Sequence, residues 1–223
     1  MSELYETLRA ELRGLDGDLY LSHLFVPALY RDRILTLYRT YADIARISND
    51  VSEPMIGQIR FQWWRDLLNQ IEAGNPAQTP IGEAIAAQQL NHDLLRTMID
   101  GFELALIEPE EAEKTAAMSG SALLTSALEI CALTADTALL ETAGAGFETL
   151  RQSQNQEHVD AAYTHLKQSA QAFNTLNRKT RLSLIPVFMP IGLAHKQAQN
   201  NPNQRSLFYY QLQLLKMSVT AKI

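Results

Sequence analysis

Two pairs of carboxylates, Asp100 with Glu103 and Glu157 with Asp160, have the i, i+3 spacing at which neighbouring helical side chains can close on one ion. Such neighbours have Cβ atoms roughly 5–6 Å apart, within reach of a hard divalent cation that takes oxygen ligands. The chemistry would be that of a magnesium-like ion held by oxygen. A chain with a formal charge of −6 also carries acids on its solvated helix faces, where such pairs arise without any ion. The five histidines offer less. His158 and His165 share nearly one helix face but lie ~10.5 Å apart along its axis, too far to ligate one metal together. His23, His92 and His195 have no carboxylate or cysteine at ligand spacing, and no His-Glu-x-x-His or Gly-x-Ser-x-Gly run occurs. Ala143-Gly-Ala-Gly146 sits inside a helical pattern without the strand or the Lys-Ser/Thr of a phosphate-cradling loop. Cys131 is the single cysteine, so an intramolecular disulfide and any Cys-based metal cluster are excluded.

The composition narrows the classes further. Lys and Arg number 19 against 25 Asp and Glu, which is not the surface of a protein built to neutralise nucleic-acid phosphates. With 46% apolar and 20% charged residues, the 223-residue chain has the make-up of a globular core, and no linker divides it. It reads as one domain, 1–223. The opening run MSELYETLRAELRG alternates charges and has no apolar stretch, so the expectation is a cytoplasmic protein that is not secreted. The most apolar window, Leu182–Ala194, is shorter than the ~20 residues of a membrane span and contains Pro186 and Pro190. It reads as a bent core helix, with peripheral contact at a membrane surface as the alternative.

The elements that must position these groups are helices. Leu4, Leu8 and Leu12 predict a first helix stopped near Gly14, followed by an extended link from Asp16 to Val26. Pro27 suits the first turn of a long helix running to about Ser48. Ser52 and Pro54 open the next, whose apolar stripe is Met55, Ile59, Trp63, Leu67 and Ile71. Trp63 and Trp64 lie ~100° apart, so at most one of them faces the core. Thr79-Pro80 and Asn91 start two further helices across the connector 75–80, and Glu108-Pro109 breaks the second of them. The helix after that is rich in small residues from Ala116 to Ala127, which lets a neighbour come close. Thr134 or Asp136 begins a helix to Arg151, another spans about Glu157–Leu176, and Ser206–Val219 closes the chain after the turn 200–203. No segment alternates with period 2, so the fold class is all-α, a multi-helix bundle.

One block is more specific than this periodicity. Ser22-His-Leu-Phe-Val-Pro27, Arg31, Leu37-Tyr38 and Ile56-Gly-Gln-Ile-Arg-Phe-Gln-Trp-Trp-Arg-Asp-Leu68 together resemble the squalene/phytoene synthase family. Asp43–Pro54, Ile56-Gly57 and Gln62-Trp63-Trp64 look most like its phytoene-synthase-like branch, the one related to the mitochondrial complex I assembly factor. The resemblance implies an isoprenoid synthase fold. In active members it implies two aspartate-rich motifs on facing helices, whose magnesium ions draw off the diphosphate of a prenyl substrate. Laid on this chain, the first motif falls on Ala45, Arg46, Ile47, Ser48 and Asn49, and its three acidic positions hold Ala45, Arg46 and Asn49. Asp43 and Asp50 are near in sequence but ~10.5 Å apart along a helix. The second motif, expected after the helix ending at Arg151, is replaced by Gln152–Gln156 without aspartates, and the family's following loop is missing, so the chain looks shortened.

The resemblance thus implies a catalytically silent relative acting as a binding or assembly module. Its cup would be lined by Tyr38, Ala45, Arg46, Asn49 and Trp64, with no cofactor. Its partner would be a protein, a respiratory complex I component among them, or an isoprenoid-like lipid. The other readings are a lipid carrier and a prenyltransferase. The latter would hold Mg²⁺ through Asp100, Glu103, Glu157 and Asp160. Contact with the inner membrane surface fits any of them.

Overall fold

The computed structural model describes residues 3–51, 53–75, 79–153, 156–199 and 207–223, with the side chains of 112 and 207–211 left aside. Among these residues all regular structure is helical. In chain order the helices are α1 (Glu3–Leu15), α2 (Gly17–His23), α3 (Arg31–Asp50), α4 (Pro54–Glu72), α5 (Pro80–Gln88) and α6 (His92–Ile107). A single 3₁₀ turn, Pro109–Glu111, leads into α7 (Ala112–Ile130), α8 (Thr137–Arg151), α9 (Gln156–Thr175), α10 (Arg178–Gln199) and α11 (Leu207–Thr220).

Local chemistry sets the helix starts. Asn91 accepts from the backbone of Asp93 and Leu94, Asp136 from Ala138 and Leu139, and Thr79 from Gly82, each satisfying N–H groups that a first helical turn leaves without partners. Pro54 stands at the start of α4, while Ser52, expected as its cap, lies outside the described residues, as do 76–78, the turn 200–203 and Ser206.

Three expectations are corrected. The stretch 16–26 is not an extended link, because Asp16 caps the seven-residue α2 by accepting from Leu19 at 2.9 Å. Burial of Leu19, Leu21, Ser22 and His23 then holds a helix too short to show a periodicity. Pro27 opens a turn before the long helix, which begins at Arg31. There the Arg31 guanidinium donates to the carbonyl of Val26 at 3.1 and 3.3 Å. On α4 the buried face is Gly57, Phe61, Trp64, Leu67 and Leu68, whereas Met55, Ile59 and Trp63 face solvent. With 3.6 residues per turn, steps of four advance ~40° each, so a strict i+4 stripe winds off the core face within three steps.

The core gathers around α3, α6, α8 and α10, with Tyr38, Tyr41, Phe102 and Phe188 among its largest buried side chains. Helix α10 runs through both Pro186 and Pro190, and Leu184, Ile185 and every residue from Val187 to His195 are buried, so this apolar window is a core helix. No helix of the described residues is long and apolar enough to cross a membrane. Helices α7 and α8 approach backbone to backbone at Gly120 and Gly144. This contact fixes the wall from which Glu148 and Arg151 project.

Candidate functional site

Two adjoining hollows open between α3, α6, α8 and α9. One, of about 540 Å³, is bordered by Ala45, Arg46 and Asn49 of α3, Phe102 of α6, and Glu148 and Arg151 of α8. The other, of about 490 Å³, shares Ala45, Asn49, Phe102 and Gln152 and continues along Leu106, Ala161, His158 and His165. Together they form a cleft that is polar at the first end and more apolar at the second. Of the residues expected to line a cup, Ala45 and Asn49 border both hollows and Arg46 the first. Tyr38 and Trp64 do not border these hollows; both are buried in the core, 1% and 4% exposed, and Trp64 stands edge-on to Trp63 with ring centroids 5.1 Å apart.

The polar end is organised by a buried network that sequence reasoning missed. The Tyr41 hydroxyl donates to one oxygen of Glu148, and Gln152 Nε2 lies 3.5 Å from the other. Arg151 pairs with Asp16, the residue that caps α2. Its guanidinium lies 5.5 Å from the centre of the Tyr41 ring and 5.1 Å from that of Phe147, in cation–π range of both. The available signal was Glu148 itself, which falls four residues after Gly144 and eight after Leu140, on the stripe of α8 that is otherwise apolar.

Burial pushes the Glu148 carboxyl up to about 7, against the opposing pull of Arg151 and of the hydrogen bonds from Tyr41 and Gln152. Burial, with the Glu148 charge beside it, also holds the Tyr41 hydroxyl neutral well beyond its ordinary range. An acid whose pKa is higher in the folded state than in the unfolded chain contributes fully below its unfolded value. That contribution is lost as pH rises towards the folded value. The Glu148 contribution to stability is therefore expected to fall between 4.5 and about 7, by at most on the order of 3 kcal/mol. Urea unfolding of the wild type and of Glu148→Gln, compared across this window, checks the sign. The difference between them should shift in favour of the glutamine variant as pH rises, and a shift the other way refutes the assignment.

The carboxylate pairs take other roles. Asp100 and Glu103 both accept from Arg65 of α4, at 2.5 and 2.6 Å. Glu157 and Asp160 are exposed near the start of α9, and Asp160 accepts from Gln156 at 2.9 Å. Neither pair borders the two hollows. Asp43 pairs with Arg39, and Asp50 with Arg46 at 2.8 Å. Among the described residues no three His, Cys, Asp or Glu side chains form a group that could hold a metal ion. A hard cation needs several oxygen ligands, and the methyl, guanidinium and amide of Ala45, Arg46 and Asn49 do not form that donor set.

This arrangement of helices around one cleft is the isoprenoid synthase fold. The structure aligns with a crystal structure described as a dehydrosqualene synthase in complex with ligand at a TM-score of 0.66 and 13% identity, over 98% of this chain and 96% of that one. Residues 12–118, just under half of the chain, match the family model described as squalene/phytoene synthase. Similar proteins include NADH dehydrogenase (ubiquinone) complex I, assembly factor 6, of Bos taurus, 31% identical over 128 residues, and its Homo sapiens counterpart, 30% identical over 128 residues. Each match takes in 53% of this chain and only 38% of the relative. The matched region of the family model carries Ala45, Arg46 and Asn49 and ends before α8.

Proposed function

We propose that the chain is a non-catalytic member of the squalene/phytoene synthase family that binds a protein partner, as an assembly module of the respiratory complex I type, in the cytoplasm and against the inner membrane face. The observation that carries this reading is the chemistry of the cleft. At the positions that resemble the family's first acidic motif, α3 presents Ala45, Arg46 and Asn49, with Arg46 turned to Asp50. A diphosphate leaving group needs a metal or comparable charge neutralisation in place before it departs. The names of the complex I assembly factors, to which residues of this chain are about 30% identical, support the same reading. The more apolar end of the cleft favours a second one, a carrier that holds an isoprenoid-like lipid without reacting it.

The deciding experiment pairs a turnover assay with a capture. Purified protein given farnesyl or geranylgeranyl diphosphate with Mg²⁺ is expected to release no diphosphate above a protein-free blank. Tagged protein recovered from host membranes is expected to carry complex I components, and native mass spectrometry of the same sample reports any bound lipid. Magnesium-dependent turnover abolished by Asp100→Ala would make the chain a prenyltransferase and overturn the proposal. Recovery of a lipid with no protein partner would turn it into the carrier.

A further inference from the structure

The outer face of α4 carries a cluster of exposed apolar side chains that the cleft does not use. Met55, Ile59, Trp63 and Ile56 are 70%, 65%, 46% and 42% exposed and stand on one side of the helix. Their combined area is on the order of 400–500 Å², the scale at which an apolar patch on a monomer is commonly functional. Three charged groups border it: Asp66, one turn beyond Trp63, is exposed and accepts from Gln62 at 2.8 Å, and Glu53 and Arg60 stand nearer the start of the helix. Glu53 and Arg60 are exposed, sit on the same flank of α4, and are two turns or ~10.5 Å apart. The Glu53 side chain makes no capping bond, and among the described residues neither group is engaged in an ion pair. Every other arginine of α4 is committed, since Arg65 is held by Asp100 and Glu103.

We propose that this face of α4 pairs two copies of the chain about a two-fold axis, antiparallel, with reciprocal Glu53–Arg60 ion pairs. The argument is one of self-complementarity. A two-fold axis perpendicular to α4 that passes between Ile56 and Gly57 sends each flank of the helix onto the same flank of its copy, with the chain direction reversed. Glu53 then stands opposite Arg60 of the other copy, and Arg60 opposite its Glu53. The same operation sets Ile56 against Ile56 and Met55 against Ile59, so apolar groups meet apolar groups along the centre. Gly57 lies on the opposite, buried face, against Leu106 of α6.

A bilayer fits this face less well. Interfacial helices bring several cations to anionic lipid, whereas Arg60 is the one uncommitted cation of α4, Glu53 sits beside it, and the chain carries −6 overall. The patch is smaller than the ~800 Å² per partner of a stable interface. The dimer is therefore weak, with a Kd on the order of 10–100 μM.

Sedimentation velocity of the full chain from about 1 to about 300 μM, at low and high salt, tests the pairing. The expected result is a concentration-dependent monomer–dimer equilibrium that weakens with salt. Ile59→Glu should weaken it at least ~10-fold while leaving the thermal melting curve in place, because the side chain is exposed. Arg60→Glu should weaken it, and adding Glu53→Arg to that chain should restore it, a rescue that a merely structural role of either residue would not give. A monomer at every concentration overturns the proposal. So does a dimer indifferent to Ile59→Glu, a charge swap without rescue, or flotation of the monomer with phosphatidylglycerol vesicles through this face. The result is independent of what the cleft binds.

Discussion

Gly144→Val is expected to remove most of the chain's stability, at a cost above about 4 kcal/mol in urea unfolding, and Gly120→Ala to cost on the order of 3 kcal/mol. The cause is where the added carbon would go. A Cβ on Gly144 would meet the backbone of Ser121 and Gly120, and one on Gly120 the backbone of Gly144, at separations far inside the 3.0 Å that real Cβ atoms keep. A flexible side chain could swing aside, but these are main-chain atoms in the middle of α7 and α8. Relief requires the two helices to part, and with them the burial of Leu124, Leu128, Leu140 and Phe147. Gly14 gives the internal control. It also lies in a helix, nothing stands within 4 Å of its added Cβ, and Gly14→Ala should be neutral or stabilising by up to ~1 kcal/mol. An unchanged urea midpoint in the Gly144 variant would mean that α7 and α8 are not in backbone contact. The wall that aims Glu148 into the cleft would then need another explanation.

The small residues between Ala116 and Ala127 announced that close approach, and the caps Thr79, Asn91 and Asp136 announced where their helices begin. Both signals are local, written within a few residues of the effect. Misreadings arose where the deciding neighbour lies far along the chain. Asp100 and Glu103 have chelating spacing, but what stands opposite them is Arg65, and i, i+3 spacing says nothing about a guanidinium 35 residues earlier. The stripe Met55–Ile71 is real as a pattern, yet which part of a winding stripe is covered depends on where α6 crosses α4. α2 escaped because seven residues are fewer than the window over which a helical period can be told from chance. As for the cleft, Ala45, Arg46 and Asn49 were legible only through resemblance, since nothing in their types proclaims a site. Tyr38 and Trp64 were placed with them because the family's block includes them, and the structure assigns both to the core. Glu148 had a local signal in its place on the apolar stripe of α8, but its partners Tyr41, Arg151 and Asp16 became visible only when α3, α8 and the start of α2 were brought together.

Arg151 should be the least replaceable charged residue of the cleft. Arg151→Met is expected to cost about 3 kcal/mol, the low end of the range found when one member of a buried ion pair is removed, because the Arg151 side chain is itself 27% exposed and only Asp16 is left buried. The residue left behind is Asp16, whose side chain is only 4% exposed and which also caps α2. Deleting the guanidinium removes the cation that offsets the Glu148 charge and takes away the contacts with the Tyr41 and Phe147 rings. A double variant separates these effects. Asp16→Asn keeps an oxygen that can accept from Leu19 but drops the charge, so Arg151→Met with Asp16→Asn should recover more than half of the loss. What it does not recover is the packing of the guanidinium against the Tyr41 and Phe147 rings. Urea midpoints of the four proteins in the cycle give the coupling directly. An Arg151→Met variant within about 1 kcal/mol of wild type would place this pair among solvated surface bridges and leave the polar end of the cleft without its anchor.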